Sequence, residues 1–276
     1  MKLLDKSEYN KVTEAIKKAT INTLFADAVI EQKIIGKIYV DNIDKPQTFY
    51  IVHSYGMTLL LGNSKNKTFN NQFRDYALNT NKIRDKHEWM QAFPNTWNTV
   101  LPELFGDKLI SSSQNIQQQL SNIIELNTRV NFEFNKEKFV ASRKPIIDNY
   151  IRITMTDNEV FSQMPGSVVP AFFWETADDF LKNGVGFSLY YKNQLASTAY
   201  SSCINDTQLE LGIETVPEFR GKGFAQYVCQ ALIDYCIENK YEPVWACRLE
   251  NIGSYQLAQK VGFVPKIELP YYRLSN

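Results

Sequence analysis

Little in this sequence points to metal, disulfide or nucleic-acid chemistry. His53 and His87 are the only histidines in 276 residues. Neither has the carboxylate or cysteine spacing of a metal site, so ordinary strand and helix roles are expected and no metal is predicted. The four cysteines, Cys203, Cys229, Cys236 and Cys247, lack any Cys-x-x-Cys pair or disulfide-framework spacing and read as reduced, buried thiols. Net charge is also missing, because 30 basic residues balance 30 acidic ones. No global field draws the chain to a polyanion or an anionic bilayer, and neither nucleic acid nor membrane is an expected partner. No run approaches the length of a membrane span, and the first residues mix charges where a secretory signal would be apolar. A cytoplasmic location is expected.

What is present is apolar and aromatic. Hydrophobic residues make up 44% of the chain, with 17 Phe and 15 Tyr, enough to fill the cores of two domains. A modest boundary between Val140 and Pro145 suggests an N-terminal mixed α/β domain, residues 1–140, and a C-terminal domain, residues 141–276. In the first part, Tyr9 to Ala28 carries apolar residues at helical spacing, and Lys37 to Gly62 reads as a three-stranded antiparallel meander. Short helices are expected across Asn70 to Phe105, including Trp89, Met90 and Phe93. A further helical stripe of Ile116, Leu120, Ile123 and Ile124 lies within Ser111 to Asn127. The second part opens with a β-like start at Tyr150 to Ile153. It continues with strands at Gly186–Tyr191, Leu195–Cys203 and Gln208–Thr215, then a helix from Phe224 to Asn239 with Tyr227, Val228, Ala231, Leu232, Tyr235 and Cys236 on one face. A strand at Pro243–Cys247 and a helix from Asn251 to Gly262 follow.

The order strand, bend, helix around Arg220-Gly221-Lys222-Gly223-Phe224-Ala225 is the chemical centre. Two glycines let the backbone approach an anion closely, and the amides that open the next helix favour negative charge. Arg220 or Lys222 adds charge at the rim. The dinucleotide pattern fails because Gln226 replaces its third glycine, and the Walker pattern fails because Phe224 stands where a hydroxyl would hold magnesium. What remains, Arg220-x-x-Gly223-x-Ala225, resembles the Gln/Arg-x-x-Gly-x-Gly/Ala motif of the GNAT acetyltransferases. The run Asn251-Ile252-Gly253-Ser254, followed by Val261-Gly262-Phe263, is similar to that superfamily's second signature. Trp174-Glu175, Asn183 to Phe187 and Trp245-Ala246-Cys247 look most like its zwittermicin A resistance-like branch.

The resemblance implies a C-terminal GNAT fold, a mixed and splayed β-sheet flanked by helices, preceded by the mixed α/β N-terminal domain. It implies acetyl-CoA as co-substrate and a primary amine, most readily on a small molecule, as acceptor by direct attack in a ternary complex. Alternatives are a non-catalytic acetyl-CoA-binding regulatory module and a protein or peptide N-acetyltransferase. Carried over by position, the backbone of Ile213, Glu214 and Thr215 pairs with pantetheine. Gly221, Lys222, Gly223, Phe224, Ala225 and Gln226 cradle the pyrophosphate with Arg220 beside them, and Asn251 and Ser254 lie along the thiol-proximal arm. The attacking amine must lose a proton, and Glu214 and Glu210, on one face of their strand, are the candidate bases. The superfamily's usual tyrosine acid is replaced by Ala258, so Tyr255, Tyr271, Tyr272 or water are the candidates for that role. The oligomeric state is left open.

Overall fold

The computed structural model describes residues 1–112 and 122–276. The chain divides into two compact units, one made of residues 1–130, 248–250 and 267–276, the other of 131–247 and 251–266. Two long strands therefore begin in one unit and end in the other.

In the first unit, β1 (Lys2–Leu3), β2 (Gly36–Val40), β3 (Thr48–His53) and β4 (Met57–Gly62) pair antiparallel in sequence order. The helix Lys67–Ala77 then carries the chain over to β5 (Glu88–Phe93), parallel to β4. β6 (Leu109–Ser111) pairs in parallel with the start of β7 (Ile124–Phe134). The core gathers Phe69, Phe73, Trp97 and Phe105 around Tyr50. One carboxylate is buried with them: Glu88 accepts hydrogen bonds from the Tyr50 hydroxyl at 2.5 Å and the Tyr76 hydroxyl at 2.7 Å. Burial pushes its pKa up despite those bonds.

The second unit repeats this arrangement. β8 (Ile151–Met155), β9 (Gly186–Tyr191), β10 (Gln194–Ile204) and β11 (Gln208–Thr215) are antiparallel in sequence order. The helix Phe224–Glu238 crosses over to β12 (Glu242–Val244), parallel to β11. β13 (Ala246–Arg248), the helix Ile252–Lys260 and β14 (Phe263–Leu274) complete the chain. The end of β14 runs antiparallel to β5, pairing Tyr272 with Met90 and Arg273 with Trp89. Mixed sheets flanked by helices agree with the expected α/β class.

The two units differ in the ladder that follows the crossover. The β4–β5 ladder runs through five pairs, from Met57–Trp89 to Leu61–Phe93. The β11–β12 ladder holds three, from Gln208–Glu242 to Glu210–Val244, while β11 continues to Thr215. After Val244 the chain turns to β7 instead, where the Phe132 N–H donates to the Trp245 carbonyl at 3.1 Å. The second sheet therefore splays beyond Glu210.

Several local expectations need correction. The stretch from Tyr9 to Ala28 is broken into a 3-10 turn at Lys6–Val12 and helices at Thr13–Ile16 and Leu24–Ile30. Trp89, Met90 and Phe93 lie on β5, because burial against β4 outweighs the ambiguous spacing. Ile116 and Leu120 lie outside the described residues, and Ile124 opens a strand where a helix was expected. On the helix Phe224–Glu238, Cys229, Gln230 and Ile233 are buried while Tyr227, Ala231 and Tyr235 are only partly so. The strand expected at Pro243–Cys247 is two strands, broken at Trp245.

Candidate functional site

The splay and the glycine bend lie at the same end of β11. Pro217–Phe219 forms one 3-10 turn, and Gly221 (φ 78°) and Gly223 (φ 81°) occupy the left-handed region that a side chain resists. A Cβ built on either glycine meets nothing within 4 Å, so the bend opens onto free space. Gly223 is also the N-cap of the fifteen-residue helix Phe224–Glu238 and offers no capping side chain. The first amides of a helix have no carbonyl partner within it, so an anion over this bend meets unsatisfied donors and the positive end of the dipole.

The corresponding helix of the first unit is built differently. Asn66 caps Lys67–Ala77 with its own side chain, whose Oδ1 accepts the Phe69 N–H at 3.1 Å. One of the donors an anion would use is taken there, and the fully paired β4–β5 ladder leaves no splay beside it.

Each expected site residue has a definite position. Gly221, Lys222 and Gly223 are exposed on the bend, and the Lys222 Nζ lies 5.0 Å from the Phe219 ring centroid. Phe224 is buried against Tyr191 at 5.1 Å, and Ala225 is half-buried in the helix's first turn. Gln226 turns away from the bend: its N–H donates to the Gly223 carbonyl at 3.1 Å, and its side chain reaches the carbonyls of Ser142 and Lys260, each at 3.4 Å.

Arg220 folds back onto β11. Its Nε donates to the Thr215 carbonyl at 3.1 Å and its Nη2 to the Glu214 carboxylate at 3.1 Å. Glu214 is 8% exposed, and four donors meet its two oxygens. Oε1 accepts from Arg220 and from the Thr215 N–H at 3.2 Å, while Oε2 accepts from the N–H groups of Ser167 at 2.9 Å and Val168 at 3.2 Å. The backbone groups of Thr215 are thus held by side chains, and Ile213, two residues back, shares that strand edge. Glu210 is buried at the last rung of the β11–β12 ladder, where the splay begins.

Asn251 caps the helix Ile252–Lys260 by accepting the Ser254 N–H at 3.2 Å. The Ser254 hydroxyl accepts the Trp245 indole N–H at 3.2 Å, tying the helix to the residue at which the sheet parts. Ala258 is fully buried, and Tyr255 packs on Phe132 at 5.5 Å. Tyr272 is buried with its hydroxyl pushed up to about 12 by desolvation, and Tyr271 stacks on Trp89. Burial also raises the thiols of Cys229 and Cys236, which suits a packing role.

Sequence reasoning missed the loop that clasps Glu214. Gly166, Ser167 and Val168 supply it, and Pro165-Gly166 was the one turn signal available. Among the described residues, no cluster of three His, Cys, Asp or Glu side chains forms a candidate metal site, and no helix is long and apolar enough to cross a membrane.

The parallel crossover beside a splayed strand, with an open glycine bend at the start of a long helix, is the arrangement of an acyltransferase fold. The family model described as GNAT acetyltransferase matches residues 14–272, and the chain belongs to that family. It is an acetyltransferase, and the family generally uses acetyl-CoA. An uncharacterized N-acetyltransferase, YdfB of Bacillus subtilis strain 168, is 24% identical over 266 residues, covering 93% of this chain and 95% of that protein. A GCN5-related N-acetyltransferase-like protein from Streptococcus suis shares the fold with a TM-score of 0.70 and 18% identity, over 96% of this chain and 98% of its own. A tandem GNAT protein from the clavulanic acid biosynthesis pathway follows at 0.61 and 9% identity, over 98% and 95%.

Proposed function

We propose that this enzyme moves the acetyl group of acetyl-CoA to a primary amine on a small molecule, by direct attack in a ternary complex. The reading includes a place near the zwittermicin A resistance-like branch, a cytoplasmic location and coenzyme chemistry in residues 141–276. The observation that carries it is the open bend at Gly221 and Gly223 beside a strand whose ladder stops at Glu210. The cradle fits a pyrophosphate, because both positions are clear and the helix behind them has no side-chain cap.

In this reading the amides from Gly221 to Ala225 hold the pyrophosphate and Lys222 adds charge at the rim. The edge of β11 at Ile213 offers an N–H and C=O to the pantetheine, as an added strand would. Asn251 and Ser254 shape the thiol-proximal wall through the helix cap and through Trp245. The bound coenzyme supplies an activated thioester.

The two glutamates divide the remaining work. General-base catalysis needs an available lone pair, and every oxygen of Glu214 already receives two donors. Glu214 therefore positions the 166–168 loop and Arg220. Glu210, on the same strand face and at the start of the splay, takes the amine's proton. The test is a panel of small primary amines with acetyl-CoA, read by free-thiol release and by mass spectrometry of the products. Turnover on one or more amines supports the reading, and no thiol release with any amine removes it. The buried Ala258 favours a second reading, a coenzyme-binding regulatory module, which predicts tight acetyl-CoA binding without turnover.

A further inference from the structure

The turn between β9 and β10 is held in one shape. Tyr191 pairs with Gln194, and the two residues between them, Lys192 (φ 50°) and Asn193 (φ 63°), both lie in the left-handed region, as a tight hairpin turn requires. The Lys192 N–H also donates to the Tyr150 carbonyl at 3.1 Å. The side chain of Lys192 is exposed, and its ammonium stands 5.2 Å from the Tyr150 ring centroid and 5.5 Å from that of Tyr191. A lysine fixed at its backbone and resting on two rings presents its charge at a defined place, with less rotamer freedom left to lose on binding.

Tyr191 brings that charge to the glycine bend. Its ring packs on Phe224 at 5.1 Å and on Phe219 at 6.3 Å, and Phe219 and Phe224 stand 6.1 Å apart. These two phenylalanines bracket Arg220 to Gly223 in sequence, so the bend and the hairpin turn share one aromatic cluster. Two ammonium groups border it: Lys222, within the bend and 5.0 Å from the Phe219 centroid, and Lys192, one ring beyond. Neither makes an ion pair among the described residues, so no carboxylate has to be displaced from them. Arg220, by contrast, is turned onto Thr215 and Glu214.

Acetyl-CoA offers two anionic groups to such a surface. Beside its pyrophosphate, the ribose carries a 3′-phosphate, a monoester with about −1.5 to −2 charges at pH 7. The amides of the bend serve the pyrophosphate, and the monoester beyond them needs a cation of its own. An ammonium lying on aromatic rings keeps N–H donors for a phosphate oxygen.

We propose that Lys192 binds the 3′-phosphate of acetyl-CoA and so makes the enzyme discriminate against the 3′-dephospho coenzyme. This rests on the pyrophosphate reading of the bend. The test is calorimetric titration of the full chain, at low salt, with acetyl-CoA and with 3′-dephospho-acetyl-CoA. The wild type should bind the dephospho form about three- to tenfold more weakly, the range of an exposed charge pair strengthened by a dianion. Lys192→Asn keeps a residue that tolerates the left-handed turn. It should weaken acetyl-CoA by the same factor and leave the dephospho form near its wild-type affinity, so that the two coenzymes bind alike. Lys222→Gln should weaken both, because Lys222 borders the pyrophosphate. Equal affinity of the two coenzymes in the wild type would overturn the assignment and leave the pyrophosphate reading standing. Equal weakening of both in Lys192→Asn, or discrimination lost in Lys222→Gln and kept in Lys192→Asn, would also overturn it. Binding of neither coenzyme would remove both readings.

Discussion

A Cβ placed on Gly166 would lie 2.4 Å from Cγ of Glu214 and 2.6 Å from its carboxyl carbon. The loop after the helix Asn158–Gln163 rests on that carboxylate, and only a glycine allows the approach. The amides of Ser167 and Val168 follow directly and donate to Glu214, which in turn holds Arg220 and the bend that Arg220 opens. One buried carboxylate therefore links a loop 48 residues away in sequence to the glycine bend.

Gly166→Ala should lower stability by about 1–3 kcal/mol, since the new methyl group overpacks Glu214 and φ of 146° strains any side chain. Denaturant unfolding would register this as a lower midpoint at an unchanged slope.

Glu210→Gln should cut kcat roughly a hundredfold or more while leaving KM for acetyl-CoA near its starting value. Glu214→Gln should instead cost about 1–3 kcal/mol of stability, because its NH2 would face backbone donors, and it should leave the pH dependence of kcat in place. Steady-state kinetics across pH compare the two. A pH profile flattened by the Glu214 change and untouched by the Glu210 change would exchange their roles.

His53 makes stability depend on pH. Burial pushes its imidazole down to about 4 from an ordinary 6.5, so folding favours the neutral ring. The Tyr55 N–H, 3.0 Å from Nδ1, needs that neutral acceptor. For a depressed histidine the unfolded chain binds the extra proton, so stability is fully present above pH 6.5 and is lost as pH falls toward 4. The loss between pH 7.5 and 5 should be about 2 kcal/mol. Melting curves should show this slope in the wild type and a much flatter one in His53→Gln.

The C-terminal half was legible because local signals and tertiary demands agree there. Alternating residues bounded by Lys192-Asn193 and Asn205-Asp206 gave β9, β10 and β11, and the glycine bend marked the next helix. The meander from β2 to β4 was readable for the same reason. Trp89, Met90 and Phe93 were not, since a short apolar run buried on a central strand has no period that separates it from a helix.

Side-chain partners were the other blind spot. The alternation of Glu210 and Glu214 put both on one strand face, but nothing local reveals that Ser167, Val168 and Arg220 converge on one of them. The repeated topology was equally hidden. The first unit has the strand order and crossover of the second, yet Asn66 and a fully paired β5 replace the glycine bend and the splay that gave the second its signature.

The central claim is that the bend from Arg220 to Ala225 holds the pyrophosphate of acetyl-CoA, and calorimetric titration of the full chain with acetyl-CoA tests it most directly. The wild type should bind one equivalent per chain, because the first unit's counterpart is capped by Asn66 and closed by β5. Gly223→Val, with its helix content unchanged by circular dichroism, should lose at least about tenfold in affinity, as a branched side chain blocks the backbone approach. Unchanged affinity in that variant would contradict the account.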